Sequence, residues 1–393
     1  MGNQSETVNE DWVDDAEKAI SAGFIEYFAL IKDPKTARKT NHSLLEIIFT
    51  TICAYICGAN SWEGVVEFVK TRELWLRKYI ELKNGIPSLA TYWRTFLHLN
   101  PSIFSQCFHD WVYTLLGDVK HIAIDGKTLR GTYDEDNSNA QLILVSAWAT
   151  EKGLLLGQVK TDIKSNEITA IPKLLDMICV KNCLISIDAA GCQTKIAKKI
   201  TDLEGDYLLA LKGNQGTLRN DVETFFQDAL ATNWDHLNFE SCESIEKGHG
   251  RIDTRTVYMV REMNDCIDEW QWPKIQSIIM VIAKRWIKGK ESVETRYYIT
   301  SSSMDVTEAA LAVRRHWAIE NGLHWSLDVG FREDRQVAKK MNLAENLAVV
   351  RRIAFTLLKK DKTTLSLENK RMKAAMSTDY LEHVLEIKSL KTL

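Results

Sequence analysis

Several features that define other protein classes are absent from this 393-residue chain. No apolar run is long enough to cross a bilayer. The N-terminus is polar and acidic, without the basic start and apolar stretch of a signal peptide. The formal net charge is −3, so the chain as a whole is not a polycation, although a local basic patch can still bind nucleic acid. These absences predict a cytoplasmic protein with no membrane partner.

Motifs of several enzyme and metal-binding classes are missing as well. The eight cysteines are scattered, and Cys179 and Cys183 have no second pair at zinc-finger spacing, so we expect reduced thiols instead of structural zinc. There is no G-x-x-x-x-G-K-[ST] phosphate loop, no G-x-S-x-G nucleophile motif and no H-E-x-x-H zinc motif. The segment "LKGNQG" is glycine-rich, but its order and spacing differ from those of a phosphate loop.

What is present is a change of hydrophobic pattern along the chain. Helical periodicity extends to about residue 115, and apolar strands alternating with helices follow. From about 235 to 304 the pattern is again strands with polar turns, after which helix resumes. We therefore predict a helical N-terminal domain (1–115), the first part of an α/β core (116–234), a β-rich insertion (235–304), and the last part of the core with a helical tail (305–393). A mixed sheet with helices on its faces is expected.

The N-terminal domain contains one candidate DNA-binding element. Ser43 and Ser88 are predicted helix N-caps. The helix after Ser88 carries Tyr92, Trp93 and Arg94 and is preceded by a turn, which is compatible with a helix-turn-helix module. A plain helical bundle is the alternative.

Two aspartates follow apolar strands in the predicted core. Asp125 ends "HIAID" and Asp188 ends "LISID", and small residues follow each of them. Functional groups of α/β proteins commonly lie at the carboxyl ends of strands, and small neighbours let a large ligand approach the backbone. The alternative is that each aspartate only begins a turn, as aspartate often does.

A third carboxylate occupies an unexpected position on a helix. Read as a helix, the segment after residue 313 has an apolar stripe, and Glu320 falls on it three residues after Trp317 and four before His324. A carboxylate on a face meant for burial is costly unless a partner compensates its charge. Two kinds of partner are compatible with the sequence. One is an arginine, for which the candidates are Arg314, Arg315 and Arg351.

The other partner is a metal ion. If Asp125, Asp188 and Glu320 converge, their repulsion requires a cation, and hard divalent ions such as Mg²⁺, or Mn²⁺ in its place, prefer oxygen ligands. A carboxylate-bound pair of such ions suits phosphodiester cleavage and transfer. Asp328, two helical turns beyond Glu320, is a weaker candidate for the third ligand.

A family resemblance covers nearly the whole chain after about residue 25. It rests on "HIAIDGKTLRGT", "KSNEITAIPKLL", "ISIDAAGCQTKIA", "DYLLALKGNQGTL", "HGRIDTRTV", "RYYITSS" and "HWAIENGLHWSLDVGFREDR", and in the front segment on "NHSLLEII", "GANSWEGVVEF" and "NGIPS". In this order, the motifs resemble the DDE transposases of bacterial insertion sequences, in the H-repeat-associated branch with its N-terminal transposase-associated domain.

The resemblance implies an RNase H-like core with a β-rich insertion before the helix of the third acid. It assigns the catalytic and metal-binding triad to Asp125, Asp188 and Glu320. The Y-x2-R-x3-E-x6-K signature of neighbouring families is only partly present, because Val313, His316 and Leu327 stand at the Y, R and K positions. Those helper roles are therefore not transferred.

The implied function is Mg²⁺-dependent cleavage at insertion-sequence ends and strand transfer into target DNA. Double-stranded DNA is the implied partner, and paired element ends favour a homodimer. Two alternatives stay open. One is a catalytically silent or co-opted homologue that binds DNA without cutting it, and the other is a stand-alone nuclease of the same fold.

Other residues are candidates for contact with DNA, each with a structural alternative. They are Lys127, Arg130, Lys212, Asn214, His249, Arg251, His316 and His324. Lys127 and Arg130 either hold phosphate or lie on a solvated loop, and the two histidines either assist the chemistry or belong to the core. Trp317 and Trp325 are expected to pack their helix, with stacking on an unpaired base as the alternative.

Overall fold

The structure is a computed structural model that describes residues 23–32, 41–132, 141–161, 166–248, 250–261, 272–336, 338 and 340–387. Its helices are α1 Ile25–Ala29, α2 Leu44–Ile56, α3 Trp62–Thr71, α4 Glu73–Leu76, α5 Leu89–His98, α6 Pro101–Leu115, α7 Glu167–Met177, α8 Thr194–Asp202, α9 Gly216–Ala231, α10 Val306–His316, α11 Trp325–Phe331, α12 Met341–Lys360, α13 Leu367–Met376 and α14 Thr378–Leu385. Its strands are β1 His121–Leu129, β2 Leu142–Ala149, β3 Leu154–Lys160, β4 Leu184–Ile187, β5 Asp206–Leu211, β6 Phe239–Gly248, β7 Arg251–Val260, β8 Ser277–Ile287 and β9 Lys290–Thr300. None of the helices in these ranges is long and apolar enough to cross a membrane.

Helix starts follow from side chains that accept hydrogen bonds from free backbone N–H groups. Ser43 begins α2 and forms a capping box with Glu46, whose backbone N–H donates to Ser43 Oγ at 3.1 Å. Ser88 caps α5 in the same way. Asp305 caps α10 and accepts from the N–H of Glu308 at 2.8 Å. The caps at Ser43 and Ser88 confirm the predicted ones.

The chain forms two compact units, of which the first comprises Met1–Trp111 and Leu327–Leu393, and the secondary structure of its described residues is helical. Tyr92 belongs to its core, because its ring is fully buried and stacks on Trp62, and its hydroxyl lies 2.9 Å from Thr50 Oγ1. Arg94, two residues on, is exposed. Of this predicted DNA-binding group, Tyr92 is therefore a packing residue.

The second unit, Val112–Ser326, contains a nine-stranded sheet in the order β3-β2-β1-β4-β5-β9-β8-β7-β6. β1, β4 and β5 run parallel, and the other neighbours are antiparallel. Helices α7, α8 and α9 pack on one face of the sheet and α10 on the other. This is the predicted fold class: an RNase H-like mixed sheet with flanking helices, extended by four strands before the helix α10.

One strand end differs from the prediction. β1 does not stop at Asp125 but continues to Leu129, paired with β2 throughout. Only its parallel pairing with β4 stops, at Ile124. Lys127 consequently lies on a strand and is buried, so the solvated-loop interpretation of Lys127 is wrong. The continuous run of buried side chains ends at Ile124, where β1 loses β4 as a neighbour, although the strand itself continues.

Candidate active site

Asp125 and Asp188 lie side by side on two adjacent parallel strands, at the same position in the strand register. The last register pair between β1 and β4 is Ile124 with Ile187, and each aspartate is the next residue. Adjacent strands lie about 4.8 Å apart. Both flanking isoleucines are buried, which anchors the strand ends in the core. The parallel pairing therefore brings together two acids that are distant in the sequence, as the strand-end pattern predicts.

The Asp125 carboxylate is largely buried beside other negative charges. Burial raises its pKa to about 7, and the charge of Asp188 adds to this effect, with smaller contributions from Glu167 and Glu320. The backbone N–H of Gly126 donates to Asp125 Oδ1 at 2.9 Å and partly opposes the shift. The nearby carboxylates therefore disfavour the charged form of Asp125.

Asp188 is held by the short loop that follows it. Its Oδ1 accepts from the backbone N–H groups of Ala190 at 3.1 Å and Gly191 at 3.4 Å. From the next strand end, Asn214 Nδ2 donates to the carbonyl of Ala189 at 2.6 Å, and Gln215 Nε2 donates to the carbonyl of Cys192 at 2.9 Å. The loop after β5 therefore braces the loop of Asp188, a positioning role for Asn214 that the sequence did not predict.

Glu320 lies in a different environment from the one predicted. Helix α10 ends at His316, and Glu320 begins a π-helical turn that extends to His324. The Glu320 side chain is exposed, so its expected place on a buried stripe is wrong. Because α10 ends four residues before Glu320, the helical repeat that predicted its buried face does not extend to it. Its charge nevertheless contributes to the raised pKa of Asp125.

The arginines considered as partners of Glu320 have other contacts. Arg314 Nη2 lies 2.6 Å from a carboxylate oxygen of Glu246. Arg315 Nη1 lies 3.0 Å from Glu151. Arg351 lies in the helical unit, over the ring of Tyr55. No salt bridge therefore explains Glu320 within the part of the chain that the structure describes.

The site contains a further carboxylate, Glu167, which sequence reasoning missed. Glu167 is the first residue of α7, and its carboxylate fills the space that a β-carbon at Gly126 would occupy. The charge of Asp188 raises the pKa of Glu167, after the larger effect of burial. The signal available was the motif "KSNEITAIPKLL", but nothing in its spacing connects it to Gly126.

The glycines beside the two aspartates therefore accommodate side chains of this chain. Glu167 occupies the space above Gly126, and a β-carbon at Gly191 would overlap the side chains of Ile187 and Ile171. The sequence pattern predicts that these small residues admit a ligand. The structure gives them a packing role instead.

The two candidate histidines have different surroundings. His316 Nδ1 lies 2.9 Å from Ser186 Oγ, which in turn lies 2.8 Å from His121 Nε2. Burial lowers the pKa of His316 to about 4 and that of His121 to about 3, so both rings are neutral at pH 7. His316 therefore belongs to a core network. His324 Nδ1, by contrast, lies 3.5 Å from Asp125 Oδ2.

The candidate lysine and arginine residues differ in how far their side chains are exposed to solvent. Lys127 points inward, with its Nζ 3.5 Å from the carbonyl of His324. Arg130 and Lys212 are exposed, and Lys212 directly follows β5 at the sheet edge where Asp188 follows β4. Arg251 Nε lies 3.0 Å from Asp253 on the long β7 strand.

Two candidates from the sequence need separate mention. His249 lies outside the described residues. Trp325 is 61% exposed, so its expected packing role is wrong, whereas Trp317 is partly covered by the Arg296 guanidinium, 4.3 Å from the ring centroid.

The carboxylates of the site offer a small donor set for a metal ion. Across the described ranges, no three histidine, cysteine, aspartate or glutamate side chains are grouped closely enough to hold one ion. Mg²⁺ in phosphate chemistry usually binds one or two carboxylates and completes its shell with water and substrate oxygens. Asp125 and Asp188 meet that smaller requirement, and the charge repulsion at Asp125 is what a bound cation would relieve.

Comparison with known proteins decides the family. Residues 117–357 match the model of the transposase DDE domain, and residues 25–112 match the DDE_Tnp_1-associated domain. The chain belongs to the DDE transposase family. The matched DDE domain includes Asp125, Asp188 and Glu320, and the resemblance noted in the sequence is confirmed.

The similar proteins include members of the H-repeat group. The "Putative transposase YncI" of Escherichia coli O157:H7 is 39% identical over 92% of this chain and 94% of its own length. The "H repeat-associated putative transposase YhhI" of Escherichia coli strain K12 is 38% identical over 92% of this chain and 97% of its own length. A solved piggyBac transposase synaptic complex with hairpin DNA is 11% identical, with a TM-score of 0.40, over 95% of this chain and 80% of that one.

Proposed function

We propose that this DDE transposase cleaves DNA at insertion-sequence ends and joins those ends to target DNA, with Asp125, Asp188 and Glu320 as its catalytic acids. The observation that carries the proposal is the placement of Asp125 and Asp188 at adjacent parallel strand ends, where neighbouring negative charge raises the pKa of Asp125. Such an arrangement costs free energy, and strongly perturbed carboxylates of this kind cluster at catalytic and cation-binding sites.

The proposed cofactor is Mg²⁺, with Mn²⁺ as a substitute. When bound, the ions activate a water or 3′-hydroxyl and stabilise the leaving oxygen. Asp125 and Asp188 are the residues that would hold them, and Glu320 would be the third ligand. The hydrogen bonds from the Ala190 and Gly191 N–H groups orient Asp188 for this task.

Double-stranded DNA is the proposed partner. Lys212 and Arg130 are exposed, which supports a role for both in neutralising phosphate oxygens. An element has two ends, which favours two copies of the enzyme in the working complex. A chromosomal DNA substrate puts the enzyme in the bacterial cytoplasm, at the nucleoid.

The test is incubation of the full chain with labelled element ends and Mg²⁺ or Mn²⁺. Cleavage followed by joining is expected. Asp125→Asn, Asp188→Asn and Glu320→Gln should each lower cleavage by about 10³-fold or more while end binding is retained. Asp176→Asn is the matched control, because it removes one negative charge from the surface of α7, where Asp176 pairs with Lys199.

A second candidate function is DNA binding without cleavage. The observation that favours it is the lack, within the described residues, of three side chains grouped around one metal position. The same assay separates the candidates. Binding with no cleavage in either metal supports the silent homologue, and cleavage without joining supports a nuclease.

A further inference from the structure

We propose that two copies of this chain associate through one face of the outer ends of strands β6 to β9, sheet against sheet. The proposed function calls for two copies of the enzyme but names no surface that joins them. This inference rests on the proposed function for the need of a second copy. Its test uses no DNA, so either proposal can fail while the other stands.

The surface begins where the sheet leaves the core. Alternate residues of a strand point to the same face, so the strand register shows which side chains lie together. Val260, Ile278 and Ile299 share a face and are buried in the core cluster that includes residues of α7, α8 and α9. Further out on that face, four large apolar side chains are exposed: Ile245 by 59%, Ile252 by 39%, Trp286 by 48% and Val293 by 57%. These four residues define the outer apolar face.

The opposite face of the same strands is closed by ion pairs. Asp253 is buried there, and its carboxylate lies 3.0 Å from Arg251 Nε and 2.7 Å from Arg285 Nε. Glu246 lies 3.4 Å from Arg255 Nη1. Charges on that face therefore compensate one another, whereas the outer apolar face leaves hydrophobic groups in water. Contiguous apolar surface of this kind commonly marks a site of protein association.

The charges at the two edges of the outer apolar face identify the partner as a second copy. One row across the strands, from β6 to β9, consists of Lys247, Ile252, Trp286 and Glu291. A two-fold rotation about an axis parallel to the strands lays β6 of one copy over β9 of the other. Lys247 then faces Glu291 of the second copy. In the same row, Ile252 faces Trp286 of the second copy, and every pairing occurs twice, as a two-fold interface requires.

The neighbouring row and the dimensions of the face agree with this arrangement. In that row the same rotation places Ile245 opposite Val293 of the second copy. Four strands about 4.8 Å apart and three rows about 6.8 Å apart give a face of about 19 by 20 Å. A dimer would bury on the order of 1,000 Å² in total, which is typical of reversible association.

The alternative occupant of this face is DNA. A surface that binds phosphates carries an excess of positive charge. Here the exposed lysines, Lys247 and Lys284, are balanced by Glu243 and Glu291 on the same face. The observations therefore favour a second protein chain with the same distribution of charge.

The experiment measures self-association of the full chain by sedimentation velocity over a range of protein concentrations. The wild type is expected to show a reversible monomer–dimer equilibrium. Lys247→Glu and Glu291→Lys should each raise the dimer Kd by about tenfold, because symmetry makes each substitution place two pairs of like charges face to face. The double variant with both substitutions should return the Kd to within about threefold of the wild type.

The rescue is specific for contact between chains. Within one chain, Lys247 and Glu291 are separated by β7 and β8, or about 14 Å, which exceeds the distance over which exposed charges interact at physiological salt. Lys290→Glu is the matched control, because it makes the same charge change on the opposite face of β9, and it should leave the Kd unchanged.

Trp286→Ala tests the apolar part of the interface. It should raise the dimer Kd by about tenfold or more, since a large aromatic side chain near the centre of an interface usually contributes strongly. Thermal denaturation checks that the variant folds. If it does not fold, the charge-reversal variants decide the question.

The outcomes separate this inference from the proposed function. A wild type that stays monomeric at every concentration, or a double variant that does not regain the dimer, overturns the inference. So does a weaker DNA complex of Lys247→Glu with an unchanged dimer, which would assign the face to DNA. The function is decided by cleavage of labelled ends: if the dimer behaves as expected and the wild type does not cleave, the function falls and the interface stands.

Discussion

A carboxylic acid with a pKa near 7 is unusual, because the unperturbed value for aspartate is about 3.9. In Asp125 the cause is burial, followed by the charge of Asp188. The same residue accepts a hydrogen bond from Gly126 and lies 3.5 Å from His324. The unfavourable electrostatic free energy of the site is therefore concentrated at Asp125. The pKa of Asp125, followed by titration, measures that free energy directly.

We expect the free energy of unfolding to depend on pH through Asp125. Its pKa is raised on folding, so its favourable contribution is fully present below about pH 4 and is lost as pH rises towards about 7, by about 1.4 kcal/mol per pH unit. Asp125→Asn removes this dependence. Urea denaturation in EDTA should show the stability of Asp125→Asn, relative to the wild type, rising between pH 5 and 7.

The control is Asp176→Asn, an exposed acid for which no such trend is expected. Parallel stability curves for the wild type and Asp125→Asn across pH 5–8 would contradict the assignment of a raised pKa to Asp125. Buried histidines also make the free energy of unfolding depend on pH, but they are common to all of the proteins compared and cancel in the difference.

At the scale of elements, one network joins β1, β4 and α10. Ser186 on β4 lies between His121 on β1 and His316 at the end of α10. Ser186 and His121 are buried. Ser186 is two residues before Asp188, and His316 is four before Glu320, so the network ties the strand of the second acid to the helix that leads to the third.

Ser186→Ala should destabilise the fold by about 1–3 kcal/mol, because it removes the bridging hydroxyl and leaves buried imidazole nitrogens of His121 and His316 without it. Chemical denaturation at pH 7.5 measures the change. Ser241→Ala, on the exposed part of β6, is the matched control and should be close to neutral. A loss no greater than that of the control would show that the network is not structural.

At the scale of the whole molecule, the central feature is a single sheet of nine strands. The strands predicted as an insertion, β6 to β9, extend the sheet formed by β1 to β5, because β9 pairs with β5. Their outer ends are exposed and carry Arg251, Arg255 and Arg285 around Asp253. The acids lie at β1 and β4, on the opposite side of β5 from these strands.

If the two element ends are held in one complex, the stoichiometry of the protein–DNA complex can be predicted. Since a transposable element has two ends, Asp125→Asn with an excess of end duplex should form a complex of two chains and two duplexes. Light scattering after size exclusion, in Mn²⁺, measures the mass. A complex of one chain and one duplex at every protein concentration tested would contradict the proposed dimer.

The sequence alone determined what depends on local pattern. Apolar runs ending in aspartate singled out Asp125 and Asp188 as candidates, and Ser43 and Ser88 were recognisable as N-caps, because an N-cap acts within three residues of itself. The order of helices and strands likewise followed from periodicity. The motifs were also long enough to indicate the family, because each one keeps its residues in a fixed order over many consecutive positions.

Only the tertiary structure decided the rest. The Glu167 side chain packs over Gly126 and so brings α7 into contact with β1, which is distant in the sequence. The hydrophobic periodicity of the sequence cannot predict such a contact. Glu320 is exposed where the helical repeat predicted burial, because α10 ends at His316 and a π turn begins at Glu320, so the repeat is not continuous through this segment. Charges interact through space and burial, so the pKa of Asp125 is a property of the fold and not of its neighbours in the chain.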